Sequence, residues 1–215
     1  MRKLPIAHAL TLAAVLLGSA TPAAAAPPGQ FAISVERLFG FSQVKTETDL
    51  GGTTFESTIT SISFLGTPLL GPAYSSPRLG FDYLHESGLS IGIAASYQQL
   101  SVEAEGEVGT DESNDLSVFV VAPRVGYFVR ASPEFGVWPR AGVTYRVISP
   151  DGGGESSATA VTAELALEYL AAEHVGLSAM PHLDFGVAGS AGSGSDSIDQ
   201  TATEFGLQFG LSLFF

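Results

Sequence analysis

The last eleven residues of the chain alternate between large apolar side chains and mostly small or polar ones. Six apolar residues recur at every second position: Phe205, Leu207, Phe209, Leu211, Leu213 and Phe215. Gly206, Gln208, Gly210 and Ser212 lie between them. A period of two sends successive side chains to opposite faces of an extended chain. The segment is therefore predicted to be a β-strand with one apolar face.

The same alternation predicts seven further strands, at residues 31–41, 78–86, 89–100, 117–130, 135–148, 159–170 and 174–187. The pattern is clearest at residues 89–100, where Leu89, Ile91, Ile93, Ala95 and Tyr97 alternate with small and polar residues. Each strand has about ten residues, which is enough to cross a bilayer when the strand is tilted. The sequence thus predicts eight antiparallel strands, all long enough to span a membrane.

The connections between these strands alternate in length. Residues 86–88, 131–133 and 171–173 form short links, whereas residues 42–77, 101–116, 149–158 and 188–200 form long ones. Short periplasmic turns and longer outer loops are typical of outer-membrane barrels. With eight strands, both chain ends would lie on the periplasmic side.

Residues 54–65 complicate this count because they also have the composition of a strand. A ninth spanning strand would leave the two chain ends on opposite sides of the membrane. We therefore interpret the segment as β structure that extends the first hairpin above the membrane. A ten-stranded barrel remains the alternative if a weak strand has been overlooked.

The residues on the other face of the strands distinguish a membrane barrel from a soluble one. In a lipocalin-like barrel the apolar face points inward, whereas in a membrane barrel it faces lipid and the polar face lines the lumen. Here the polar face carries many glycines and serines and eleven ionisable residues, which we predict to line the lumen: Glu36, Arg78, Asp82, Arg124, Arg140, Arg146, Glu164, Glu168, His182, Asp184 and Glu204.

Aromatic residues lie near the strand ends and predict two girdles. One would mark the periplasmic rim (Phe31, Tyr83, Tyr127, Phe135, Tyr169, Phe215) and the other the outer rim (Phe39, Tyr97, Phe119, Tyr145, Phe185, Phe205). Four residues on the lipid-facing phase depart from the pattern. Pro123, Pro139 and Pro181 each predict a bulge or a broken pairing, because proline removes a ladder donor. Arg37 is predicted to extend toward the lipid head groups.

The terminal strand resembles the C-terminal strand of bacterial outer-membrane barrels, which ends in Phe. The chain as a whole is similar in pattern to the small eight-stranded barrels of the OmpA and OmpX type. The resemblance implies a monomeric transmembrane β-barrel that is inserted by the barrel-assembly machinery, which reads the terminal strand. It implies no single activity.

The beginning of the chain predicts export. Arg2 and Lys3 precede an apolar run at residues 6–17, and Ala24, Ala25 and Ala26 offer a cleavage site. These features predict a signal peptide at residues 1–26 and a barrel domain at residues 27–215, with an N-terminal membrane helix as the alternative. The chain has no cysteine and a net charge of −13, which excludes thiol chemistry and disfavours nucleic acid as a partner.

The lumen residues are the first candidates for a function. Arg140 is predicted to lie beside Glu164 and Glu168, with Arg124 on the neighbouring strand. Because unpaired charges in a dry interior are costly, we expect an ion-paired core that fills the narrow barrel. A proton or ion path is the alternative interpretation of the same residues.

Acidic residues in the outer loops are the second candidates: Glu103, Glu105, Glu107, Asp111, Glu112, Asp115, Asp151, Glu155, Asp196 and Asp199. Such carboxylates can hold divalent cations. The spacing matches no EF-hand, so a solvated acidic rim near lipopolysaccharide is the favoured interpretation.

An enzyme, such as a lipid-modifying barrel, would need a histidine close to a serine. His85 and His174 are predicted at periplasmic turns, and His182 in the lumen near Asp184; no G-x-S-x-G motif occurs. We therefore expect a non-enzymatic outer-membrane barrel without cofactors that has a structural or surface-interaction role. The alternative is a narrow channel or binding barrel for small, apolar solutes. Leu69, Leu70 and Tyr74 would then line a pocket; in the other interpretation they simply cap the barrel.

Overall fold

The computed structural model describes residues 30–50, 52–64, 74, 76–104, 112–150, 154–192 and 198–215. The proposed signal peptide, Leu69 and Leu70 lie outside these residues, as do the side chains of most of the acidic loop between Ser101 and Asn114. The described residues contain no helix that is long and apolar enough to cross a membrane.

The described residues form ten β-strands. These are β1 (Gln30–Leu50), β2 (Thr53–Phe64), β3 (Arg78–Leu84), β4 (Leu89–Ala104), β5 (Glu112–Tyr127), β6 (Val129–Arg130), β7 (Phe135–Pro150), β8 (Ser156–Ala172), β9 (Val175–Ala191) and β10 (Ile198–Phe214). All pairings are antiparallel, and they follow the order β10-β9-β8-β7-β5-β4-β3-β1. The sheet closes because β10 also pairs with β1.

The eight-stranded barrel that the sequence predicts is confirmed. Its eight wall positions are β1, β3, β4, β5, β7, β8, β9 and β10; the two-residue strand β6 continues β5 beyond Phe128 and pairs with β7. Closure begins with Ala32 opposite Phe214 and continues to Asp49 opposite Asp199, so the terminal strand is paired along its whole length. A closed barrel has no free edge at this position.

The extension of the first hairpin is also confirmed. The lower part of β1, Gln30–Glu36, pairs with β3, whereas the upper part, Phe39–Leu50, pairs with β2. β2 therefore continues the wall position of β3 away from the chain ends and does not add a spanning strand. Its side chains are almost all exposed.

The outer face of the barrel wall is apolar. Phe81, Ile91, Val161, Leu183 and Leu211 are among the many large apolar side chains that point outward and remain exposed. A water-soluble protein rarely exposes a contiguous apolar surface of this extent. The barrel is therefore of the membrane-spanning type, with lipid in contact with its outer face.

Each lipid-facing proline lies at a gap in the strand ladder. The pairing of β5 with β7 passes from Val121 to Arg124 and so omits Pro123. The pairing of β8 with β9 passes from His182, which lies opposite Glu164, to Ala179, and so omits Pro181. Pro139 lies on β7 where the neighbouring strand is interrupted at Phe128. The predicted broken pairing is thus found beside all three prolines, because proline has no N–H to donate.

The tight turn between β3 and β4 requires a glycine. Gly88 has a φ of 89°, and its N–H donates to the carbonyl of His85 at 2.8 Å. Residues that carry a side chain rarely adopt this left-handed backbone conformation, whereas glycine adopts it at little cost. The turn places His85 outside the barrel interior, as predicted.

Candidate functional site

The polar interior starts from an irregularity in β1. Between Val35 and Phe39, β1 advances four residues while β10 advances two, from Leu211 to Phe209. Arg37 has a φ of 57°. Such a bulge interrupts the alternation of the strand, so Glu36 and Arg37 both point inward and are each only 1% exposed. The prediction that Arg37 faces the lipid head groups is therefore wrong.

Glu36 receives more hydrogen bonds than any other carboxylate described here. Its oxygens accept from Nε of Arg78 at 2.9 Å, from Nη1 of Arg124 at 2.7 Å and from Nη1 of Arg140 at 2.7 Å. Ser34 donates its hydroxyl to the same carboxylate at 2.9 Å. Charge-assisted bonds of this length are the stronger class of protein hydrogen bonds.

Glu164 forms a second centre on the opposite wall of the barrel. It accepts hydrogen bonds from Arg37, at 3.0 Å, and from Arg78, and it forms an ion pair with Nη2 of Arg140 at 3.1 Å. Arg124 approaches it to 3.8 Å. Arg140 and Glu164 are direct cross-strand neighbours, as the sequence predicts.

Two further carboxylates complete this cluster. Asp82 accepts from Nε of Arg124 at 2.9 Å and also from its Nη2. Asp184 accepts from Arg37 at 3.1 Å and from the hydroxyl of Thr162 at 2.5 Å. We call the eight connected residues the central network: Arg37, Arg78, Arg124, Arg140, Glu36, Asp82, Glu164 and Asp184. Four guanidinium groups balance four carboxylates, so the central network is electroneutral.

Glycines at inward positions make room for these long side chains. A Cβ at position 80 would lie 2.3 Å from Oγ of Ser34 and 2.6 Å from Nη2 of Arg124. The space that a side chain on β3 would fill is thus taken by the guanidinium group that reaches Asp82.

Above the central network, Tyr74 lies inside the barrel and is fully buried. Its backbone N–H donates to Glu204 at 3.0 Å, and its carbonyl accepts from Nη1 of Arg37 at 2.6 Å. The guanidinium carbon of Arg146 is 5.8 Å from the centroid of its ring. Small apolar residues surround it: Val44, Ala158, Ala160 and Ala202. Tyr74 therefore caps the outer end of the interior.

Below the central network, the interior is apolar. A cluster of buried residues fills this end: Ala32, Leu84, Phe128, Trp138, Ala166, Leu170, Met180 and Phe214. The ring of Trp138 lies 5.7 Å from that of Phe128 and 6.5 Å from that of Phe214, measured between centroids. We call this cluster the periplasmic plug, because the sequence predicts that this end of the barrel, where the chain ends lie, faces the periplasm. The barrel interior thus has three layers, and only the middle one is a charged network.

The eleven predicted lumen residues all belong to the inner face. Ten of them are buried and Arg146 is half-buried. Glu168 and Arg146 lie apart from the central network: Glu168 accepts from Ser212 at 3.1 Å, and Arg146 contacts Tyr74. Sequence reasoning placed Arg37 on the wrong face of β1, although the pair of consecutive charged residues at positions 36 and 37 was the available signal. Tyr74 was named from the sequence as a residue that lines a pocket or caps the barrel, and the structure shows it as a buried cap.

One described histidine lies within hydrogen-bond distance of a serine hydroxyl: Nδ1 of His85 is 3.0 Å from Oγ of Ser87 in the turn between β3 and β4. His182 is buried, and its Nε2 lies 3.4 Å from Glu204 and 3.8 Å from Asp184. Its Nδ1 has no hydrogen-bond partner among the described residues, so no described serine hydroxyl is poised against it. His174 contacts the carbonyl of Phe214 at 2.9 Å at the turn before β9.

His182, Asp184 and Glu204 offer one ligand atom each within 4.8 Å of one another. Both carboxylates already have partners, because Arg37 donates to Asp184 and the Tyr74 N–H donates to Glu204. A divalent cation here would also face the guanidinium of Arg37, which is unfavourable. The group is better described as an extension of the central network than as a metal site.

Comparison with protein-family models and with curated proteins found no match. Among solved structures, the chain is similar to the outer membrane protein OprG of Pseudomonas aeruginosa, with 13% identity, a TM-score of 0.48, and 90% of this chain and 99% of that chain covered. It is similar to the outer membrane protein AlkL in lipid bilayers, with 13% identity, a TM-score of 0.48, and coverage of 92% and 96%.

A third similar structure is Ail, the attachment invasion locus protein of Yersinia pestis, in complex with a heparin analogue. It has 12% identity, a TM-score of 0.44, and coverage of 86% of this chain and 99% of that chain. Because these sequence identities and TM-scores are low, the fold is established by the strand pairing of the chain itself.

Proposed function

We propose that the protein is a non-conducting, non-enzymatic barrel of the bacterial outer membrane whose role is performed by its outer surface. The observation that carries the proposal is the occupied interior. The Tyr74 cap, the central network and the periplasmic plug succeed one another along the barrel axis. An eight-stranded barrel has room for little besides its own side chains.

The surface available for interaction is the hairpin formed by β1 and β2. β2 pairs with β1 up to Leu50 opposite Thr53. Lys45 donates to Glu47 at 2.9 Å and to Glu56 at 3.0 Å, and these hydrogen bonds raise the pKa of Lys45. Phe55 and Ile59 are exposed on β2. Together with the acidic loops, this hairpin would present a mixed polar and apolar surface beside lipopolysaccharide.

Conductance tests the closed interior. The refolded protein, incorporated into a planar lipid bilayer, is expected to give no stable conductance steps at high salt, because the charges of the central network are paired and buried. A wide, water-filled porin serves as the positive control. Reproducible single-channel steps from the pure protein would overturn the closed-barrel proposal and favour the narrow channel.

Cysteine labelling tests the location and orientation. The chain has no cysteine, so a single introduced thiol has no background. Thr58→Cys on β2 and Ser87→Cys in the turn between β3 and β4 both replace exposed residues. In intact cells a membrane-impermeant maleimide is expected to label Thr58→Cys alone, and Ser87→Cys only after the outer membrane is permeabilised. The reverse pattern, or equal labelling of both variants, would contradict the proposed orientation.

A further inference from the structure

The barrel wall has a seam beside β4. β3 pairs with β4 only from Ser90 to Ala95. From Ser96 onward, the described pairing of β4 is with β5 alone. β2 continues the wall position of β3, yet its described pairing is with β1 and not with β4. Above Ala95 the wall is therefore not closed by a described strand ladder.

A groove of about 400 Å³ lies at the base of this seam. Its walls include Leu79, Tyr97 and Phe119, which are 64%, 67% and 45% exposed on the outer face of the barrel. Tyr97 and Phe119 are direct neighbours across the β4–β5 ladder and belong to the predicted outer girdle. The mouth of the groove therefore opens into the lipid-facing belt near the outer membrane boundary.

The inner end of the groove is polar. Arg78 and Ser96 line it. Each is the next residue on its own strand beyond the last β3–β4 pair, in which Leu79 lies opposite Ala95. Arg78 uses Nε on Glu36 and Nη2 on Glu164. Its Nη1 and the hydroxyl of Ser96 are buried and have no hydrogen-bond partner among the described residues. Two buried donors without an acceptor are costly, so the site favours a molecule that supplies one.

Charge balance decides the kind of acceptor. Arg78 belongs to the central network, in which four guanidinium groups already balance four carboxylates. An additional carboxylate at this buried position would be the uncompensated charge, whose desolvation is expensive. A neutral carbonyl oxygen has two lone pairs and can accept from both donors without changing the net charge.

We propose that this groove binds one acyl chain of a lipid from the surrounding membrane through the ester carbonyl of that chain. The carbonyl accepts hydrogen bonds from Nη1 of Arg78 and from the rotatable hydroxyl of Ser96. The hydrocarbon lies along Leu79, Tyr97 and Phe119. The site is separate from the outer hairpin, so it stands independently of the proposed surface role.

Competitive retention of small probes tests the proposal. The refolded protein, in an alkyl polyether detergent that carries no ester, is incubated with methyl laurate, dodecane and laurate, separated by gel filtration and analysed by mass spectrometry. Methyl laurate is expected to be retained about five- to tenfold better than dodecane, as one or two net hydrogen bonds would give. Ser96→Ala is expected to reduce this preference to the part that Nη1 of Arg78 supplies, while leaving dodecane retention unchanged.

A blocking variant locates the binding. Ala95 lines the groove on its lipid-facing side, so Ala95→Phe is expected to reduce retention of methyl laurate to the background level. Ala179→Phe on β9 is the matched control, because it replaces another half-buried alanine on the lipid-facing phase of a distant wall strand and leaves the groove open.

Circular dichroism of each variant verifies the fold. Equal retention of dodecane and methyl laurate by the unaltered protein would overturn the role of the two donors. Stronger retention of laurate than of its ester would overturn the neutral ligand, and full retention by Ala95→Phe would overturn the location.

Discussion

Replacement of Glu36 by glutamine is expected to lower the free energy of unfolding by about 3–5 kcal/mol, the usual cost of breaking a buried ion pair from one side. Glu36 accepts from Arg78, Arg124 and Arg140, and all three guanidinium groups are buried. Glutamine has nearly the same shape but no charge, and its amide group adds donors where three donors already converge. The central network would then hold four guanidinium groups against three carboxylates.

Urea-induced unfolding from lipid vesicles measures this effect, with two matched controls that carry the same chemical change. Glu168→Gln alters a buried carboxylate outside the central network, and Glu56→Gln alters an exposed carboxylate that pairs with Lys45. Both controls are expected to change the unfolding free energy by about 1 kcal/mol or less. A Glu36→Gln effect no larger than that of Glu168→Gln would show that the ion pairs of Glu36 contribute little.

The architecture was largely predictable because it depends on a local pattern. A period of two separates the two faces of a strand wherever one face meets lipid and the other does not. For this reason the inner phase of residues as distant as Asp82 and Glu204 could be read from their neighbours alone. The same alternation located the terminal strand, whose pairing with β1 closes the barrel.

The contents of the interior were less predictable because they depend on irregular and long-range features. The bulge at Glu36 and Arg37 interrupts the alternation of β1 over two residues, and its local signal in the sequence is limited to the pair of consecutive charged residues at these positions. The position of Tyr74 is set by Arg37 and Glu204, which are distant in sequence. Alternation also does not tell at which depth the inner face changes from charged to apolar residues.

The apolar periplasmic plug is also expected to contribute strongly to the free energy of unfolding, and Trp138 lies at its centre. Trp138→Ala is expected to lower the free energy of unfolding by about 3–5 kcal/mol, since removal of a buried aromatic side chain leaves a cavity that the wall cannot collapse to fill. Trp138 is fully buried and packs against Phe128 and Phe214. Its ring also lies 5.0 Å from the guanidinium carbon of Arg140, so the substitution loosens the lower boundary of the central network.

A second variant separates packing from hydrogen bonding at this position. Nε1 of Trp138 donates to the hydroxyl of Ser90 at 2.8 Å. Ser90→Ala keeps the indole ring but leaves its N–H unpaired, at an expected cost of about 1–3 kcal/mol. Because Trp138 is the only tryptophan of the chain, unfolding of both variants is best followed by circular dichroism. A larger loss in Ser90→Ala than in Trp138→Ala would mean that hydrogen bonding, rather than the filled volume of the periplasmic plug, stabilises this end of the barrel.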